Sequence, residues 1–171
     1  MAKLVTTCLF VAATTLAANA RIGETLDESI KRYGDVVETR TYPSGNTWHL
    51  FRKGDFVISI FLGKDGKTEA IEYLKDPVKN SGFLSVDSEM SSNEIQNFLN
   101  AEGSGWVDLE ANIFKKLHTE WDNGSLYATY KFWSRQEDEP AHYALRIETR
   151  GYSEMMRKKQ IEAENKNQEG F

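Results

Sequence analysis

The run His118-Thr119-Glu120-Trp121-Asp122 is the stretch of this 171-residue chain best suited to acid–base chemistry. Residues two apart in a strand share a face, so Glu120 would stand beside His118 and orient its ring as a general base, with Asp122 one step beyond. That pairing defines one expectation, an envelope hydrolase using His118 and Glu120. The competing one is a strand histidine satisfied by its neighbouring carboxylate. The other two histidines offer less, since His49 follows Trp48 inside a strand-like alternation and His142 opens another. None of the three sits in a ligand pattern, so neither a metal nor a cofactor is expected. Gly-x-Ser-x-Gly elbows, phosphate loops, His-Glu-x-x-His helices and calcium loops are absent. Gly103-Ser104-Gly105 follows a helix rather than preceding one, and Glu137-Asp138-Glu139 reads as a solvated loop. The balance favours a protein that binds over an enzyme.

Where the chain works is written in its first twenty residues. Lys3 gives a positive start, 4–18 is uncharged and mostly apolar, and Ala18-Asn19-Ala20 places small residues where a signal peptidase reads. The apolar run is short for a bilayer and is followed at once by Arg21, Glu24 and Asp27, so a cleaved leader over 1–20 is expected, with no membrane span after cleavage. Release would be periplasmic or extracellular. The single cysteine, Cys8, lies inside that leader and leaves the mature chain without a disulfide, thiolate nucleophile or thiolate ligand. Only seven residues precede it, which argues against a lipid anchor. With 21 basic against 26 acidic residues and a formal charge of −5, nucleic acid and anionic membrane are poor partners.

The elements that would position any site are punctuated twice in the same order. Thr25-Leu26-Asp27-Glu28 and Ser91-Ser92-Asn93-Glu94 both read as capping boxes that open short helices, the second reinforced by a Met90–Ile95 staple. Period-two alternation follows each helix: 47–52, 56–62 and 68–74 in the first half, then 117–121, 126–133 and 142–149 in the second. Lys53-Gly54-Asp55 and Asp122-Asn123-Gly124 mark equivalent hairpin corners. One more strand is expected over 36–42, with a fainter counterpart near 106–109. The fold class is therefore α+β, two repeats of a helix followed by an antiparallel meander. A single domain over 21–152 contains half-repeats 21–75 and 90–150, a packed linker 76–89, and a charged C-terminal helix over 153–171 that frays past Glu164.

Strand parity places Trp48, Leu50, Phe56, Ile58, Ile60, Leu62, Ile71 and Tyr73 on the core face of the first half, and Leu126, Ala128, Tyr130, Phe132, Tyr143, Leu145 and Ile147 on that of the second. The reverse face then carries Phe51, Val57, Phe61, Tyr127 and Trp133 among His49, Thr129, Lys131, His142, Arg146 and Glu148. Something must cover so aromatic a face. The linker, the tail helix and packing of the half-sheets on each other are the intramolecular choices; a protein partner or a second copy is the alternative. The functional expectation is an exported, non-catalytic binding or adaptor protein that meets a protein partner through Phe51, Phe61, Tyr127, Trp133 and Arg146. The envelope hydrolase and a weak structural homodimer stand beside it.

The run Arg21-Ile22-Gly23-Glu24-Thr25, the Arg32-Tyr33-Gly34 that closes the first helix, and Trp106 and Trp121 together resemble a family of small uncharacterised exported bacterial proteins of the Verrucomicrobia type. That likeness implies export and supplies no catalytic residue. In architecture, a helix and a meander occurring twice is similar to beta-lactamase inhibitory protein and to outer-membrane assembly lipoproteins of the SmpA/OmlA type, by analogy only. The inhibitor has cysteines that the mature chain lacks, and the lipoproteins require a lipidated cysteine.

Overall fold

Two reciprocal caps set the starts of the first two helices. In the computed structural model, which describes residues 21–41, 47–76, 89–109, 118–133 and 142–168, the Thr25 hydroxyl accepts from the Glu28 N–H while Glu28 Oε2 accepts from the Thr25 N–H at 2.8 Å, opening α1 (Leu26–Tyr33). Ser91 and Glu94 repeat the arrangement at α2 (Ser92–Glu102). Each box satisfies two N–H groups that the helix itself leaves without partners. The expected leader (1–20), the expected turn at 43–46, residues 77–88 of the expected linker and the expected loop 134–140 lie outside the described residues.

Between and after the helices the chain runs through β1 (Glu38–Thr41), β2 (Thr47–Lys53), β3 (Phe56–Leu62) and β4 (Thr68–Lys75), then β5 (Val107–Asp108), β6 (His118–Asp122), β7 (Leu126–Trp133) and β8 (His142–Thr149). All eight form one antiparallel sheet in the order β1-β2-β3-β4-β8-β7-β6-β5. The last strand of each run meets the other at the centre, where Ile71 pairs with Ile147 and Tyr73 with Leu145. The expected α+β class with its C-terminal helix is thus observed, and the order of a helix followed by four strands occurs twice.

Helices α1 and α2 cover one face of the sheet. Phe51, Ile58, Ile60, Ile71, Tyr73, Ala128, Tyr130, Leu145 and Ile147 form the buried sheet side of that core, with Tyr33, Met90 and Leu99 brought down onto it. Phe98 stacks on Tyr73 with ring centroids 4.0 Å apart, and the Met90 N–H donates to the Tyr130 hydroxyl at 2.7 Å. Each such aliphatic or aromatic side chain contributes about 1.5–3 kcal/mol by leaving water.

Strand β2 is turned over relative to the parity reading. Phe51 is fully buried in the α1/α2 core, 5.5 Å from the Tyr33 ring, whereas Trp48 and Leu50 lie on the reverse face with Phe61 and Ala70. The cause is the hairpin corner. Gly54, at φ 60°, and Asp55 make a two-residue turn that pairs Lys53 with Phe56, so odd positions of β2 share a face with even positions of β3.

The third helix, α3 (Arg150–Gln168), starts directly after β8 and three residues before the expected Ser153, because the Thr149 hydroxyl accepts from the Tyr152 N–H at 3.1 Å and caps it. It continues through Gln168, past the expected fraying point. Tyr152, 1 % exposed, sits on Trp48, Leu50, Phe61 and Ala70, with Met155, Met156 and Val57 around it. The tail helix is therefore what covers the first half of the reverse face.

Candidate functional site

The same reverse face continues onto β8, β7 and β6, where alternate positions bring Ala144, Arg146 and Glu148 beside Tyr127, Thr129, Lys131 and Trp133, and those beside His118, Glu120 and Asp122. A cleft of about 130 Å³ opens there, lined by Thr129, Lys131, Trp133, Ala144, Arg146 and Glu148. Its centre is Arg146. From Nε at 3.0 Å and Nη2 at 2.6 Å the guanidinium donates to Glu72 Oε2 on β4, so the pair bridges the two halves of the sheet. Its flat group also lies 5.5 Å from the rings of both Trp48 and Trp133, one from each half. Burial opposes the charge on Arg146, but the carboxylate of Glu72 outweighs it and raises the pKa.

Lys131 stands beside this pair. Its ammonium is 3.7 Å from the centre of the Trp133 ring, and burial, with the nearby Arg146 charge added, lowers its pKa. Tyr127, at the far end of the row, has its hydroxyl pKa raised by burial and by hydrogen bonding to Glu120. Rings flanked by cations over a shallow cleft can take up a flat or acidic group by stacking and charge together.

Of the five residues expected to form the binding surface, the fold brings Tyr127, Trp133 and Arg146 onto one face, each part-buried, and separates the other two. Phe51 belongs to the opposite face, inside the core, and Phe61 is sealed beneath α3 with its ring 4.7 Å from that of Tyr152. His118 and Glu120 do meet, Nε2 to Oε1 at 2.9 Å, on the rim of the face rather than in the lining of the cleft. Among the described residues Glu120 is the partner of His118, and on its other side Glu120 meets the Tyr127 hydroxyl. No group of three or more His, Cys, Asp or Glu among the described residues could hold a metal ion.

Sequence reasoning missed Glu72 and Trp48. Glu72 reads as a polar residue between Ile71 and Tyr73, and its partner emerges only once β4 is known to neighbour β8. Trp48 was hidden by the inverted face of β2, which the two-residue turn could have revealed.

No protein-family model matches this chain. No curated protein matches it either. Among solved structures, it is similar over 77 % of its length to 45 % of a cysteine-rich secretory protein from Staphylococcus aureus subsp. aureus Mu50, at 10 % identity and a TM-score of 0.43. It is also similar over 88 % of its length to 50 % of an extracellular protein containing an SCP domain from Bacillus anthracis str. Ames, at 9 % identity and a TM-score of 0.43. The chain spans about half the length of each. No helix of the described residues is long and apolar enough to cross a membrane.

Proposed function

We propose that the protein is exported and acts without catalysis, binding a protein partner through the half of the reverse sheet face that carries Tyr127, Lys131 and Trp133 around Arg146. The observation that carries this reading is the contrast in cover. The apolar cluster beneath α3 takes in Trp48, Leu50, Phe61 and Ala70, but no residue of β7 or β8. Outside that cluster, among the described residues, stand a part-buried indole, a phenol and cations, the side chains that interfaces favour because flat rings bury area at small entropic cost and arginine fixes orientation. The leader-like segment 1–20 supports delivery to the periplasm or the exterior.

Crosslinking in the envelope fraction, followed by affinity measurement with the recovered protein, tests the reading. Trp133→Ala combined with Tyr127→Ala is expected to weaken binding at least about 30-fold, as loss of a hot spot does. Unchanged affinity rejects the face. A second copy is the competing occupant, and a dimeric mass that the same double variant returns to monomer would assign the face to self-association instead.

A further inference from the structure

Glu102, the last residue of α2, turns its carboxyl inward. Oε2 accepts from the backbone N–H of Ile22 at 2.8 Å, while Oε1 is buried with no hydrogen-bond partner among the described residues. The hydroxyls of Tyr33 on α1 and Tyr73 on β4 enter the same space, Tyr73 near enough to both Tyr33 and the Glu102 carboxyl to act as a weak hydrogen-bond partner, though neither hydroxyl makes a bond of ordinary geometry among the described residues. The N-terminal segment contributes Arg21 and Glu24, the latter paired with Arg32. Burial, with Glu24 adding to it, pushes the Glu102 pKa up to about 8 against the pull of the Ile22 N–H and Arg21. An acceptor held dry and half-used is costly, and a cation brought to Oε1 would offset that cost.

The segment beside it is firmly placed. The Gly23 N–H donates to the Thr68 carbonyl at 2.8 Å, the Thr68 N–H and hydroxyl both donate to the Glu24 carbonyl at 2.7 and 2.9 Å, and Thr25 bridges Lys67. Successive backbone nitrogens lie no more than about 3.7 Å apart. The nitrogen of Arg21 is therefore no more than roughly 6.5 Å from Glu102 Oε2, so a rotation of the Glu102 side chain or of the first residue is what would bring the two to ion-pair distance.

We propose that Glu102 is the receptor for the α-ammonium created when the leader is cut between Ala20 and Arg21, so that export maturation completes the buried site and locks the N-terminal strap. This rests on the cleaved-leader reading. Water adds across the Ala20–Arg21 peptide bond, leaving a carboxylate on Ala20 and an amine on Arg21 that takes up the released proton. Before the cut that nitrogen is a neutral amide and gives Glu102 no counter-charge. Afterwards an ammonium can pair with Oε1.

Three forms of the protein test it: one beginning at Arg21, one retaining Ala18-Asn19-Ala20, and the Arg21 form acetylated at its amine. Near neutral pH the free Arg21 form is expected to melt on the order of 3–6 °C above the other two, with slower exchange of the Ile22 and Gly23 amides. The gap should close in Glu102→Gln. Equal melting and exchange in all three forms, or a gap that persists in E102Q, overturns the pairing. The intact mass of the exported protein separates the two failures. A protein that starts at Arg21 but shows no gap refutes the pairing and leaves cleavage standing, whereas any other start refutes both.

Discussion

On β2 and β3 the reverse sheet face carries Trp48, Leu50, Val57 and Phe61, and the first turns of α3 lie across it; on β7 and β8 the same face carries Tyr127, Lys131, Trp133 and Arg146 over a cleft. Both halves follow one strand plan, and both put aromatic rings at alternate positions. What separates them is charge. Beneath α3 the buried cluster is apolar, with Arg146 reaching only its Trp48 edge, whereas in the other half each ring has an ionisable neighbour: Lys131 and Arg146 at Trp133, Glu120 beside Tyr127. A face that the chain covers itself can do without charges, since burying them costs free energy; a face left open can keep them. The aromatic count alone does not tell the two apart.

The sharpest way to break the contrast is to remove the cover. Tyr152→Ala deletes a fully buried ring that touches Trp48 and Phe61, and large-to-small changes of this kind cost about 3–5 kcal/mol, which is a fall of roughly 10 °C or more in melting temperature. It should also expose apolar surface to a dye such as ANS. Trp133→Ala, on the part-buried side, is expected to cost less, about 2 kcal/mol, in line with its partial burial. Equal costs for the two would mean that both halves are covered alike and would remove the basis for an open binding face.

Much of this arrangement was legible before any coordinates. The two capping boxes are local chemistry, and period-two alternation located six strands to within a residue or two. Faces were read correctly from strand parity on β3, β4, β7 and β8, where Tyr130 lies opposite Leu145, and failed at β2, where the face depends on counting two residues in the Gly54-Asp55 turn. Strand order was not legible, because nothing local announces that β4 lies against β8. The Glu72–Arg146 bridge and the orphaned oxygen of Glu102 depend on contacts 74 and 80 residues apart, and both stayed hidden for that reason.

That bridge ties the two halves together, so it sharpens the comparison at its seam. Arg146→Met leaves Glu72 facing a largely dry face without its cation, and Glu72→Met leaves the guanidinium between two indoles without its anion. Breaking a buried pair costs about 3–5 kcal/mol; with side chains still 27 % and 15 % exposed, about 2–3 kcal/mol is expected here. The cycle closed by the double variant E72M/R146M should recover most of that loss, since apolar replacements remove both desolvation costs at once. Strict additivity of the single variants would mean that the two side chains do not act as a pair.

The smallest effect belongs to Glu148, opposite Ala70 on the covered side of the seam and Tyr127 on the open side. Burial raises its pKa, and the neighbouring Glu72 adds to this, while Arg146, a hydrogen bond from Ser153 and Lys131 pull the other way. A carboxyl whose folded pKa lies above its unfolded one binds its proton more tightly in the folded state. Its contribution to stability is therefore complete below the unfolded pKa and is lost as pH rises through the folded one. Glu148→Gln is neutral at every pH and lacks this term, while the pH response of Glu102 is common to both proteins and cancels in the difference. Melting of the wild type relative to E148Q should therefore decline as pH rises above the ordinary carboxylate range. A difference that stays flat would place Glu148 in water, and the seam between covered and open halves would then lie closer to β4 than the buried carboxyl indicates.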